Sequence, residues 1–500
     1  MKNTICNTFI VLFVILFGLV SLNGFTGLAE NNGEVLKVRS SHDIQNMDPA
    51  FHFGGPEYNI NLALFSRLMK YKPGSQELTL DAAKSVDLSE DGKTLVFELK
   101  RGIQFHEDYG ELTAEDVKFS YERIIDPEND SPYKSSWRTL DRVEVTGKYS
   151  GKLIFNEPLA SLFTTSIPYS AGAIISKKAY NELGSKFSTH PIGSGPYRWK
   201  NWSPSQKIVL ERFDKYYGEK PDFEKVEIFP IEDTKSAEMA FDGDELDITN
   251  LSMDSYERYK NKENAITHET FTVNSHFLGF NVREEPFNDI RVRKAIRYAI
   301  NSKEIIDGAY NGVPKINNCL LPGKMTGSWE NCPTYEQNLG KARELLQEAG
   351  YSDGFEVSLI VENQDPAPIA AQIIQQQLLQ IGINAKIKPV ENGYQVLKKL
   401  PPETMHYYFF GLNLNPGYWF EWFTCDQVGK WNFPGWCNEK YDKLLKKAAT
   451  TLDREDRAEI FIEMQRIMHE EIPFIPVTND AELYVTQSDV EIGRASCRER

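Results

Sequence analysis

The chain has 500 residues, 41% hydrophobic and 26% charged, with a formal net charge of −16. That length exceeds what a single hydrophobic core organises, so two or three domains are expected. The acidic balance argues against a nucleic-acid partner, whose phosphates require clustered Lys and Arg.

In chain order, residues 1–29 read as a secretion signal. Lys2 supplies the positive start, residues 9–20 form an apolar run too short to span a bilayer with its flanks, and Gly27 and Ala29 are small residues suited to cleavage before Glu30. No Cys stands directly after the run, so a soluble exported protein is expected rather than a lipid-anchored one. Cys6 leaves with the signal. Cys319 and Cys332 lie close in sequence, as do Cys425 and Cys437. In an exported chain these read as two local disulfides, although four cysteines allow three connectivities. A zinc site is disfavoured, because neither pair has metal-type spacing and no His lies nearby.

A strand over 35–38 and a loop over 46–50 precede an expected helix over 58–71, with Ile60, Leu64, Phe65 and Leu68 on one face. Val86 and Leu88, then Leu95, Phe97 and Leu99, alternate around the Asp91-Gly92 turn of a hairpin. Thr113 is placed to cap a helix carrying Val117, Tyr121 and Ile124. His106 is expected to be structural, because a lone His is rarely catalytic. The Gly193–Tyr197 run lacks the Lys-Ser/Thr and helix of a phosphate loop and is followed by strands over 197–199 and 208–212. A β–α unit over 228–242 and a strand end over 247–251 follow.

Phe277 to Asn281 reads as a short apolar strand, then a turn, then a helix capped by Asn288 or Asp289. Val292, Ala295, Ile296, Ala299 and Ile300 make its apolar face, leaving Arg291, Arg293, Lys294 and Arg297 for a solvated one. Beyond it come a helix over 339–349 stopped by Gly350, a β–α–β unit over 355–387, a buried strand over 407–410, and helices over 438–449 and 453–469. Residues 492–500 bring three arginines and an odd Cys497 without apolar pattern, and are set aside as a non-native tail.

Several of these stretches, in their order, resemble one family. Phe280-Asn281, Pro286-Phe287 and Asp289-x-Arg291-Val292-Arg293-x-Ala295 resemble the start of the second lobe in family 5 bacterial extracellular solute-binding proteins, the oligopeptide- and dipeptide-binding proteins of ABC importers. Ala83 to His106, Leu112 to Val117, Gly193 to Tyr197, Lys341 to Tyr351 and Gly382-Ile383 extend the resemblance over roughly residues 35–485. It implies an α/β, two-lobe, periplasmic-binding-protein-like fold of type II, the large class with an extra subdomain in the first lobe. The expected division is a first lobe over 30–275 with a subdomain at about 60–190, a second lobe over 276–475, and a return over 476–491. The implied function is non-enzymatic: a periplasmic monomer that binds an oligopeptide in an interlobe cleft and passes it to the transmembrane subunits of an ABC permease. An oligosaccharide or another organic solute is the alternative ligand, and a secreted hydrolase the distant one. No cofactor or metal is implied.

Twelve of the thirty residues from Tyr407 to Trp436 are aromatic, including four of the eight Trp. Core packing accounts for some; the run after the Asn413-x-Asn415-Pro416-Gly417 loop suits a cleft wall. The ligand-contact candidates are therefore Asn413, Asn415, Tyr418, Trp419, Trp422 and Trp436, with Tyr58 and Asn250 from the first lobe. The sequence departs from the family's peptide binders in two places. No acid stands between Gly411 and Gly417 to pair with a ligand's ammonium, and no Arg stands within Glu362 to Asp365 to hold a carboxylate. A dipeptide held at both ends is thereby disfavoured against a longer peptide or a neutral sugar.

Overall fold

The structure, a computed structural model, describes residues 35–52, 54–73, 77–322, 325–399, 403–410 and 415–490. The secretion signal, Asn413 and the set-aside tail lie outside them. A ten-stranded mixed sheet runs through the molecule in the order Ile383–Val390, Phe355–Glu362, Thr404–Phe410, Ala265–Phe280, Phe474–Gln487, Ile248–Leu251, Val35–Ser40, Lys225–Pro230, Lys207–Arg212 and Tyr197–Ser203. Its middle is the antiparallel pair Ala265–Phe280 and Phe474–Gln487. The expected short strand at Phe277 is thus the end of a 16-residue one. Its far end borders Thr404–Phe410, while Phe474–Gln487 continues onto Ile248–Leu251. Two long strands therefore tie the halves of the sheet together, with register shifts at Phe271/Ser275 and His276/Phe277. A bulge locally bends a strand pair and increases its twist.

One large core gathers residues from Ile44 to Leu210. It is built on a separate four-stranded antiparallel sheet, Ala83–Leu88, Thr94–Leu99, Ser150–Phe155 and Leu140–Gly147, covered by the helix Ala114–Ile125. Gly92 turns the hairpin at φ 67°, and Thr113 and Asp116 form the reciprocal cap of the helix. The helix expected over 58–71 is instead Gly55–Leu64, and the chain becomes extended at Phe65. The reason is tertiary. Leu64 O accepts from Gly195 N, Ser66 O from Ile174 N, Arg67 O from Ala82 N and Leu68 O from Asp81 N, so neighbouring segments claim the carbonyls. A Cβ at Gly193 or Gly195 would collide with the Leu64 carbonyl, which is why glycine stands at both. His106 is buried beside them, its Nε2 3.0 Å from Gly195 O.

The second core, Leu278 to Val477, fills the β–α–β unit Phe355–Glu362, Ala367–Leu379, Ile383–Val390 and the helices Ile290–Ala299, Ser302–Ala309 and Leu339–Glu348. Val292, Ala295, Ile296, Ala299 and Ile300 are all buried, as their spacing predicts. The basic face is a correction. Arg291 is exposed, but Arg293 and Arg297 are 7% and 5% exposed. Arg293 donates to the carbonyls of Phe287, Glu471 and Ile472; Arg297 donates to His469 O and lies 4.0 Å over the Tyr335 ring. These guanidiniums cap the end of the helix Arg454–Glu471, whose last carbonyls have no partner within the helix. The strand expected to be buried over 407–410 is Thr404–Phe410; Tyr407 is 1% exposed but Phe409 37%.

Candidate functional site

A cavity of about 650 Å³ lies between the segment 132–169 of the first core and the segment 415–461 of the aromatic region. Its size is that of pockets that enclose a small organic ligand. The two segments meet at one side, where Ala160 N donates to Ala449 O, and Leu452 packs near Gly92.

The first wall is aromatic and hydroxylic. Tyr133 and Tyr169 stand with Ser135, Ser161, Thr164 and Thr165. Tyr169 is positioned from behind: its ring stacks on Tyr58 at 4.4 Å, and its carbonyl accepts from the fully buried Arg67, which also donates to Asn61 and Phe65 O. Burial raises the phenols of Tyr58 and Tyr169 and pushes Tyr133 up to about 12, so all three remain protonated donors at neutral pH. Arg138 is the charged residue of this wall.

The second wall begins at Asn415. Its Oδ1 accepts from Gly417 N and starts the short helix Pro416–Glu421, which turns Tyr418 and Glu421 to the cavity. Asp426, Asp442, Lys446 and Arg457 complete its charge. Burial raises the Asp442 carboxyl, with the Cys425 N–H acting against it. Burial lowers Arg457, which donates to the carbonyls of Thr451 and Leu452.

The structure brings some expected ligand residues to this cavity and not others. Asn415 and Tyr418 line it, and Tyr58 supports it from behind Tyr169. Trp422 is half-buried behind Tyr418 at 5.5 Å and stacks on Trp431 at 4.9 Å. Trp419 and Trp436 are corrections: they are 1% and 4% exposed, inside an aromatic core with Phe420, Phe423 and Tyr441. The Trp436 indole N–H donates to Glu471 Oε2 at 2.5 Å, an internal bond that no ligand has to supply. Asn250 sits in a strand opposite Tyr484, outside the cavity lining. Cys319–Cys332 and Cys425–Cys437 are bonded, with Cα atoms 6.2 and 4.6 Å apart. The second bridge holds the loop that carries Trp431.

Tyr133, Arg138, Tyr169 and Glu421 escaped the sequence reading. The first three fall in a stretch without periodicity, and only the clustered hydroxyls Ser135-Ser136 and Thr164-Thr165-Ser166 hint at a polar wall.

Residues 77–429 match the family model described as bacterial extracellular solute-binding proteins, family 5 Middle. Di/tripeptide-binding protein 1 of Pseudomonas aeruginosa (strain UCBPP-PA14) is 29% identical over 472 residues, 86% of each chain. Among solved structures, the periplasmic binding protein DppA of Helicobacter pylori in complex with the peptide STSA is 25% identical, with a TM-score of 0.75 over 93% of this chain and 96% of its own. HbpA2 of Haemophilus parasuis matches in fold, with a TM-score of 0.83 at 24% identity over 91% of this chain and 96% of its own.

Proposed function

This chain belongs to the family 5 bacterial extracellular solute-binding proteins, and from that premise we propose that it binds short peptides in the 650 Å³ cavity and delivers them to an ABC permease. The observation that carries the reading is the cavity itself, lined by aromatic rings, hydroxyls and charges of both signs from two parts of the chain. Peptides present an amide backbone, apolar side chains and two charged ends, and this wall offers a complement to each. Two of the named relatives, a di/tripeptide-binding protein and DppA in complex with the peptide STSA, support the same ligand class. Trp419 and Trp436 are buried, so the Trp faces expected to stack on an oligosaccharide do not line this cavity, whose wall carries Tyr133, Tyr169 and Tyr418 instead.

In this reading the lobes are residues 30–275 and 276–475, with 476–491 returning to the first. They close by bending the strands Ala265–Phe280 and Phe474–Gln487 at their register shifts. The protein acts as a periplasmic monomer after removal of residues 1–29 and turns nothing over. The test is mass spectrometry of protein exported from a bacterial host, native and then denatured. A ladder of peptide masses released on denaturation supports the proposal. A hexose-spaced series, or hydrolysis of added peptides, sinks it.

A further inference from the structure

Of the two stretches where the family's sequence pattern expects end-binding charges, residues 362–365 are otherwise engaged. Glu362 Oε1 accepts from Gly393 N at 2.9 Å and Asn363 donates to Glu391, so the 362–365 stretch offers no cation. The cavity's own charges sort differently. Asp426 accepts from Thr424 Oγ1, Asp442 accepts from Cys425 N, and Arg457 donates to two carbonyls. Lys446, one turn along the helix from Asp442, lies within electrostatic reach of that carboxylate but has no hydrogen-bond or ion-pair partner among the described residues, and its point charge is the rival to Arg138. Arg138 and Glu421 complete the set. Among the described residues neither side chain has a hydrogen-bond or ion-pair partner, and although both line the cavity they do not pair with each other.

We propose that Arg138 holds the free carboxylate of a short peptide and Glu421 its free ammonium. This rests on the peptide reading above and names the two end-contacts within it. Arg138 lies on a wall without an acid, which Ser135, Ser136 and Ser161 also line, and their hydroxyls add donors for a carboxylate. Its planar fork engages both carboxylate oxygens, which a Lys point charge does not. Glu421 lies on the other segment, and an ammonium placed there gains a carboxylate otherwise without a hydrogen bond. A peptide bound this way spans the cavity and draws the two segments together, coupling the ligand's charged ends to closure. A blocked end leaves one of these charges unmatched, so discrimination falls on the peptide's termini rather than on its side chains.

The experiment uses the cleaved protein, freed of bound ligand by denaturation and refolding. It is dialysed against three random tripeptide libraries: unblocked, C-terminally amidated and N-acetylated. Retention is read by mass spectrometry. Wild-type protein is expected to retain the unblocked library at least tenfold better than either blocked one. R138Q is expected to lose the discrimination against amides alone, and E421Q the discrimination against acetylated peptides alone. R138K should recover part of the first. Both side chains are exposed, so circular dichroism should show the folds unchanged. If wild-type protein retains no library, the peptide reading fails and the assignment with it. If it retains all three equally, or if K446Q rather than R138Q erases the amide discrimination, peptides bind but the assignment is wrong. If R138Q and E421Q weaken all three libraries by the same factor, the two residues latch the segments to each other and the assignment is again wrong.

Discussion

Replacing Trp436 separates a core residue from a ligand platform. Its indole N–H meets Glu471 Oε2, whose other oxygen accepts from Asn438 Nδ2 at 2.7 Å, and its ring packs edge-on against Tyr441 at 4.9 Å. W436F keeps most of the ring volume but removes the donor to a carboxylate, a bond of about 1.5–3 kcal/mol. The residual void adds about 1 kcal/mol, at roughly 24 cal/mol per Å³ of cavity. W436A leaves a larger void, for which losses of about 3–5 kcal/mol are typical. Guanidinium denaturation followed by circular dichroism at pH 7 should therefore show midpoints falling in the order wild type, W436F, W436A. Retention of the unblocked tripeptide library by folded W436F should stay within about twofold, because free energies at sites without shared partners add independently. Tyr418, 38% exposed on the cavity wall, should behave oppositely. Y418A should change the midpoint little and weaken retention about tenfold, as loss of an aromatic anchor does. A W436F protein with an unchanged midpoint and tenfold weaker retention would refute the reasoning.

Arg293 and Arg291 stand two residues apart on one helix and should differ sharply. R293A strands buried carbonyls of Phe287, Glu471 and Ile472 and should cost about 3 kcal/mol or more, whereas R291A, losing an exposed pair with Asp289, should cost under about 1 kcal/mol in the same denaturation assay. Replacing Cys425 and Cys437 with Ser opens a loop with a sequence separation of 12 and should lower stability by about 3 kcal/mol in the chain-entropy account, seen as an earlier urea midpoint. Burial holds His52 and His106 at about 4, below the ordinary value of 6.5. An unfolded chain thus binds protons that the folded one refuses, so their contribution is complete above pH 6.5 and is lost as pH falls from there to 4. Each should cost about 2 kcal/mol at pH 5 relative to pH 7.5. Urea titrations of wild type and H106Q at both values check it, and an equal pH dependence in the two proteins would count against His106.

Local chemistry made much of this fold legible from the residues alone. The Asp91-Gly92 turn, the Thr113 cap, the five-residue apolar face from Val292 to Ile300 and the glycine stops at Gly350 and Gly382 depend on neighbours within a few positions, and they stand where periodicity put them. So did the two cysteine pairs, whose short separations favour local bridges. Tertiary structure alone decided which polar groups are buried and which aromatics face a ligand. The helix after Gly55 stops at Leu64 because distant strands and Gly195 take the next backbone groups, and Arg293 turns inward because another helix ends against it. Trp419 and Tyr418 are adjacent in sequence, yet one is core and the other cavity wall, since successive side chains on a short helix point about 100° apart and only packing selects the face. The cavity itself joins residues 132–169 to 415–461, and no local pattern in either segment refers to the other.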